Sequence, residues 1–103
     1  MIKAALMLTM VASLAPACIT AQQSRDKLVS LVRQDCGSCH GLTLKGGLGP
    51  PLLPQALAGK SAAGLAAIIL DGVPGTPMPP WNSELTPDDA HWIATRLKEG
   101  FPP

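Results

Sequence analysis

Glycine and proline decide first what this chain can become. Residues 41–60, "GLTLKGGLGPPLLPQALAGK", hold five glycines and three prolines, and residues 72–82, "GVPGTPMPPWN", hold two glycines and four prolines. Proline fixes φ and removes a backbone donor, while glycine adds chain entropy, so neither stretch sustains a long regular element. What lies between them reads as three short helices. The first spans about 24–36, with Ser24 as N-cap, Asp26 in the first turn and Leu28, Leu31 and Val32 on one face, continued by Cys36 and Cys39. The second is "SAAGLAAIILDG", capped by Ser61 and stopped by Gly72, with Leu65, Ile68 and Ile69 as its core face. The third has the clearest start: Thr86 as N-cap, Pro87 at the first helical position and Asp89 three residues after the cap. Its inner face is Ala90, Ile93, Ala94 and Leu97, and Gly100 ends it before Pro102 and Pro103. No alternating strand pattern, repeat or low-complexity segment is present, so the expected class is all-α.

The first residues do not read as part of that domain. Lys3 is followed by an uncharged run of 11 residues, Ala4 to Leu14, and then by the small residues of "APACITA". That order is the order of a secretory signal, and the run is shorter than the ~20 apolar residues of a membrane span. Cleavage after Ala21 divides the chain into a leader, 1–21, and one domain, 22–103. Cleavage after Ala17 exposes Cys18 instead, the pattern of a lipid anchor, but Ala15 stands where lipoprotein signals usually carry leucine. A membrane association is expected only in that second case; otherwise the location is the periplasm. The domain carries seven cations (Arg25, Lys27, Arg33, Lys45, Lys60, Arg96, Lys98) and seven anions (Asp26, Asp35, Asp71, Glu84, Asp88, Asp89, Glu99). With no basic stripe, no nucleic-acid partner is expected. A domain of this length builds a small core and calls for a staple.

The staple is sought in "QDCGSCHG", where Cys36 and Cys39 are followed at once by His40. Three chemistries compete. Structural zinc needs four ligands, and Cys36, Cys39, His40 and His91 are the bare minimum, without the usual spacing of a Cys pair and a His pair. A redox dithiol uses the same Cys spacing, but beside a strand–helix–strand pattern that is missing here. The third reading is covalent attachment of a c-type haem. Two thiols about one helical turn apart lie on the same side of the backbone and suit two vinyl groups on one haem edge. His40 then offers a ring nitrogen to iron, and Gly37, Ser38 and Gly41 leave room for the macrocycle.

A sixth iron ligand follows by elimination. Met1, Met7 and Met10 lie in the leader, which leaves Met78. It is set among Pro77, Pro79 and Pro80, a stiff loop rather than the helix on which a core methionine normally sits. A thioether is a soft neutral ligand that, paired with His, raises the potential. His91 is the rival ligand; it lies off the Ala90–Ile93–Leu97 face and reads as solvent-facing.

"CGSCH", "GLGPPL", "MPPW" and a capped last helix, in that order, resemble the class I c-type cytochromes. "LVRQDCGSCHG", "GGLGPPL", "PGTPMPPW" and the "GFPP" ending are similar to the small NirC-type cytochromes c that accompany cytochrome cd nitrite reductase in denitrifying bacteria. The resemblance implies a class I cytochrome c fold, three to four short helices around one covalently bound haem c. It implies thioethers at Cys36 and Cys39, His40 and Met78 on iron, and a hydrogen bond from the His40 ring to the Pro50 carbonyl. First and last helices would pack through Leu28, Leu31 and Val32 against Ile93 and Leu97. The chain has no tyrosine to meet a haem propionate; Trp81 is placed to take that role through its indole N–H, or to lie as a lid on the haem edge.

Six-coordinate iron leaves no open position for a substrate. The expected function is therefore single-electron transfer in the periplasm, with a redox protein, cytochrome cd nitrite reductase, as partner in denitrification, rather than enzymatic catalysis. The alternative is an accessory enzyme or factor in haem d maturation, which a labile Met78 would permit. With balanced charge and loops rich in Gly, Pro and Leu, the docking patch is expected to be apolar and partner rates to depend weakly on salt.

Overall fold

The computed structural model describes residues 4–5, 7–12 and 25–101. The proposed cleavage sites after Ala17 and Ala21, Cys18, Ser24, Pro102 and Pro103 lie outside the described residues. Residues 7–12 have no regular structure, and Met7, Leu8, Met10 and Val11 are all more than four-fifths exposed. This apolar run contributes nothing to the core.

Among the described residues four helices make the domain: α1, residues 25–40; α2, Pro54–Leu57; α3, Ala62–Asp71; and α4, Pro87–Glu99. There is no strand among them. No helix there is long and apolar enough to cross a membrane.

The first helix differs from expectation in two ways. It runs on through the cysteine pair to His40 instead of ending at Cys36, because the next loop turns back and caps it. Gly49 N–H donates to Cys39 O at 2.8 Å and Gly46 N–H to His40 O at 2.8 Å, so the last carbonyls are satisfied. Within it, Val32–Cys36 is a π-turn, with Gly37 N–H bonded to Val32 O. In a straight α-helix Val32 and Gly37 would be about 140° apart. The wider turn brings both to the buried side.

The other two long helices start and stop where the sequence indicates. Ser61 Oγ accepts from Gly64 N–H at 3.0 Å to cap α3. Thr86 and Asp89 form a reciprocal capping box on α4, with bonds of 3.1 and 3.0 Å. Asp88 and Asp89 in its first turn and Arg96 and Lys98 in its last complement the helix dipole. The four predicted inner residues, Ala90, Ile93, Ala94 and Leu97, are all buried. They pack in one cluster with Leu28, Val32, Leu57, Leu65, Ala66 and Leu85. Leu31 packs at its margin. Arg25 lies over the Trp92 ring, 5.6 Å from its centroid, and ties α1 to α4.

One core expectation fails. Ile68 is 41 % exposed, and Ala66 takes its place inside the cluster. Leu65 and Ala66 meet the core, while Ile68 and Ile69 line a cavity that the core does not fill.

Candidate functional site

The cavity has a volume of about 830 Å³, within the range of small-molecule and cofactor sites. Every helix and both Gly/Pro-rich loops contribute to its walls. The floor comes from the core side: Leu57 of α2, Leu65 and Ile69 of α3, and Ile93 and Leu97 of α4. Cys36, Cys39 and His40 enter from the end of α1, Pro50 from the first loop, and Met78 and Trp81 from the second. All six residues predicted from sequence therefore border one space. His91 is exposed on α4 and does not.

His40 is held by the first loop, which crosses its ring. Its Nδ1 lies 2.7 Å from Pro50 O. A carbonyl only accepts, so Nδ1 carries the proton and Nε2 keeps its lone pair. The ring also lies against Gly49: a Cβ there would fall 2.8 Å from Nδ1 and Cε1. Only a residue without a side chain lets the loop cross the imidazole this closely. The sequence supplies "GLGPPL" as a pattern; which glycine the histidine needs becomes visible once the loop has folded back.

The methionine is held differently. Val73 N–H donates to Met78 O at 3.2 Å, and Met78 N–H to Thr76 Oγ1 at 3.3 Å. Thr76 Oγ1 in turn donates to Val73 O at 2.7 Å. Trp81 N–H returns to Ile69 O at 3.1 Å, so the loop is stitched to the end of α3. Gly72 makes this possible. Its φ is +68°, and a Cβ would lie 2.7–2.8 Å from the backbone of Met78, Pro79 and Pro80. Sequence reasoning misses Thr76 and Gly72 as site residues, since nothing local marks them apart from "GVPGT" being a turn.

Chemistry narrows the three readings of the cysteine pair. Cys36 and Cys39 are not joined in a disulfide. Burial, with the nearby Asp35 carboxylate and Cys39 adding to it, pushes the Cys36 thiol up to about 11. A redox dithiol needs the opposite, a thiol whose pKa is lowered. For zinc, no three His, Cys, Asp or Glu side chains among the described residues are arranged so that they could hold a metal ion.

Comparison with known proteins decides the family. Residues 23–95 match the family described as cytochrome C oxidase, cbb3-type, subunit III. The chain is 52% identical over 97 residues to cytochrome c55X of Paracoccus denitrificans (strain Pd 1222), covering 94% of each chain. This chain is a class I c-type cytochrome of the NirC type. The structure of a c-type cytochrome NirC superposes with a TM-score of 0.75 at 54% identity, over 77% of this chain and 93% of that one. A second solved structure, dihydro-heme d1 dehydrogenase NirN in complex with DHE, aligns with a TM-score of 0.65 at 35% identity. That match covers 72% of this chain but 16% of the dehydrogenase.

Membership of a cytochrome c family implies covalently bound haem c, and the donor set fits it. The cavity offers two thiols, an imidazole with a free Nε2, and a thioether sulfur, within mostly apolar walls. Partial exposure of Ile68 fits the same group, since its side chain lacks a partner until the cavity is filled.

Proposed function

We propose that the chain is a periplasmic monohaem electron carrier, exported by a leader of residues 1–21 that precedes one domain, 22–103. Cys36 and Cys39 would hold the haem through thioethers, and His40 and Met78 would supply nitrogen and sulfur to its iron. When bound, the haem supplies a one-electron iron couple whose potential a His/Met pair raises. The protein's own residues do the rest. Pro50 O fixes the His40 tautomer and ring orientation, as partners of metal-bound histidines do. The Gly72–Trp81 segment presents Met78, and the apolar walls exclude water. With His40 and Met78 both held by iron, no site would remain there for a substrate, which favours electron transfer over catalysis.

The observation that carries this reading is the shared cavity: two thiols, an Nε2 freed by the Pro50 bond and the Met78 sulfur on its walls. The partner we propose is cytochrome cd nitrite reductase, in denitrification, approached through an apolar rim. Leu48 is 76 % exposed there and shares the cavity edge with Pro51 and Val73. Anaerobic mixing of the reduced protein with that reductase tests it. Haem reoxidation at a rate that varies little with ionic strength is expected; no reoxidation, or a steep decline with salt, overturns the partner or the patch.

A second reading has its own support, the likeness of this domain to part of a dihydro-heme d1 dehydrogenase. Here the chain assists haem d maturation, as electron acceptor or as a factor with a labile Met78. Rapid carbon monoxide binding by the reduced protein favours the labile-ligand form; inertness favours the carrier.

A further inference from the structure

Haem brings two carboxylates into this cavity, and the assignment of Cys36, Cys39, His40 and Met78 leaves open what meets them.

Most polar side chains on the cavity wall are already engaged. Ser38 Oγ donates to Asp35 O at 2.7 Å. Thr76 Oγ1 donates to Val73 O, and His40 Nδ1 to Pro50 O. Asp35 borders the cavity beside Cys36 and makes that edge unfavourable for a further anion. Among the described residues, Lys60 is the one Lys or Arg on the cavity wall. Its side chain is exposed, with no hydrogen bond or ion pair to its ammonium among the described residues.

The backbone beneath that side chain is fixed from two directions. Lys60 N–H donates to Leu57 O at 3.0 Å, closing the turn after α2. Lys98, on the last turn of α4, donates its Nζ to Lys60 O and, at 3.4 Å, to Leu57 O. One lysine thus spends its charge holding the carbonyls of a turn, and the turn presents a second lysine to the cavity with its charge unspent. No tyrosine exists in the chain to serve instead; Trp81, also on the cavity wall, offers a neutral indole N–H but no charge.

We propose, resting on the haem assignment above, that Lys60 is the cation that pairs with a haem propionate, and that Lys98 is a positioning residue for it. A positive charge there favours electron uptake by the site and holds the propionate ionised to lower pH. Both effects are those of a partly solvated pair, so they are small and salt-sensitive.

The test uses the haem-loaded protein, as wild type, Lys60→Gln, Lys60→Arg and Lys27→Gln. Lys27 is exposed on α1 and does not border the cavity. Reduction potentials are measured against pH at low salt, with mass and visible spectrum recorded for each variant. Because the Lys60 side chain is exposed, its replacement is expected to leave folding intact. Lys60→Gln is expected to weaken electron uptake at pH 7 by about two- to fivefold and to raise the proton affinity of the propionate step by a similar factor. Lys60→Arg keeps both wild-type values, and so does Lys27→Gln. A haem-loaded Lys60→Gln protein whose potential and pH profile superimpose on wild type overturns the pairing and leaves the haem ligands standing. A wild-type chain that matures without covalent haem overturns the ligand assignment, and the pairing with it. Lys98→Met adds the positioning readout: a loss in the same direction as Lys60→Gln supports it, and an unchanged potential refutes it.

Discussion

The two walls that present the proposed ligands to the cavity are built on different principles. The histidine wall is a helix end clamped by short hydrogen bonds, each 2.7 or 2.8 Å: Gly49 N–H to Cys39 O, Gly46 N–H to His40 O, and His40 Nδ1–H to Pro50 O. On the methionine wall the bonds donated by backbone N–H groups are longer, 3.1 to 3.3 Å, one short side-chain bond of 2.7 Å runs from Thr76 Oγ1 to Val73 O, and four prolines between positions 74 and 80 remove donors while fixing the backbone. One side is held by bonds that add enthalpy to the folded state. The other is held by rings that remove conformations from the unfolded chain, and by one glycine that allows close packing. The difference predicts that the methionine side gives way first.

Four experiments put that contrast at risk, in falling order of effect. Replacing Cys36 and Cys39 together by alanine is expected to abolish covalent haem, giving a colourless product at the mass of the processed chain; coloured protein at the haem-bearing mass would refute the attachment. Met78→Ala is expected to retain covalent haem while losing the sulfur-to-iron band and binding carbon monoxide on mixing. If that variant stays inert to carbon monoxide, the methionine wall does not supply the ligand.

The third experiment sets the two glycines against each other. Gly72→Ala places a Cβ 2.7 Å from backbone and demands φ +68° of an alanine; overpacking and left-handed strain together cost about 2–4 kcal/mol. Gly49→Ala meets the edge of a side chain at 2.8 Å, without a positive φ, and should cost about 1–3 kcal/mol. Thermal unfolding ranks them, and the spectrum separates them: Gly72→Ala disturbs the methionine band, while Gly49→Ala leaves the band in place and shifts the potential through His40. Equal loss of the band in both would mean that the walls are mechanically one. Smallest is Thr76→Val, which removes the hydroxyl bonds to Val73 and Met78 at about 1 kcal/mol. A loop as stable as wild type to hydrogen exchange around Met78 would show that the prolines alone suffice.

Much of the architecture is legible in the chain. Helices α3 and α4 begin and end where Ser61, Gly72, Thr86, Pro87 and Gly100 place them, because capping is chemistry between residues three or four apart. The buried face of α4 follows from a 3.6-residue period for the same reason. The π-turn in α1 and its run to His40 are not legible. The run to His40 depends on a loop returning from residues 46–49 to take the last carbonyls, and the π-turn goes with burying Val32 and Gly37 on one side; no local rule reports either partner. Ile68 defeats the periodicity argument because a period marks an apolar face but not whether protein or cofactor covers it.

Residue identity and short spacing were enough to propose the donor atoms, two thiols, an imidazole and a thioether, and to set the limits of α3 and α4 and the balance of charge. Folding was needed for the rest: that Nδ1 of His40 meets Pro50, that Gly49 and Gly72 must lack side chains, and that Lys98 holds the turn that sets Lys60 at the cavity edge. Each of these is a contact between separate segments, fixed when the helices close around one another and by nothing nearer in the chain.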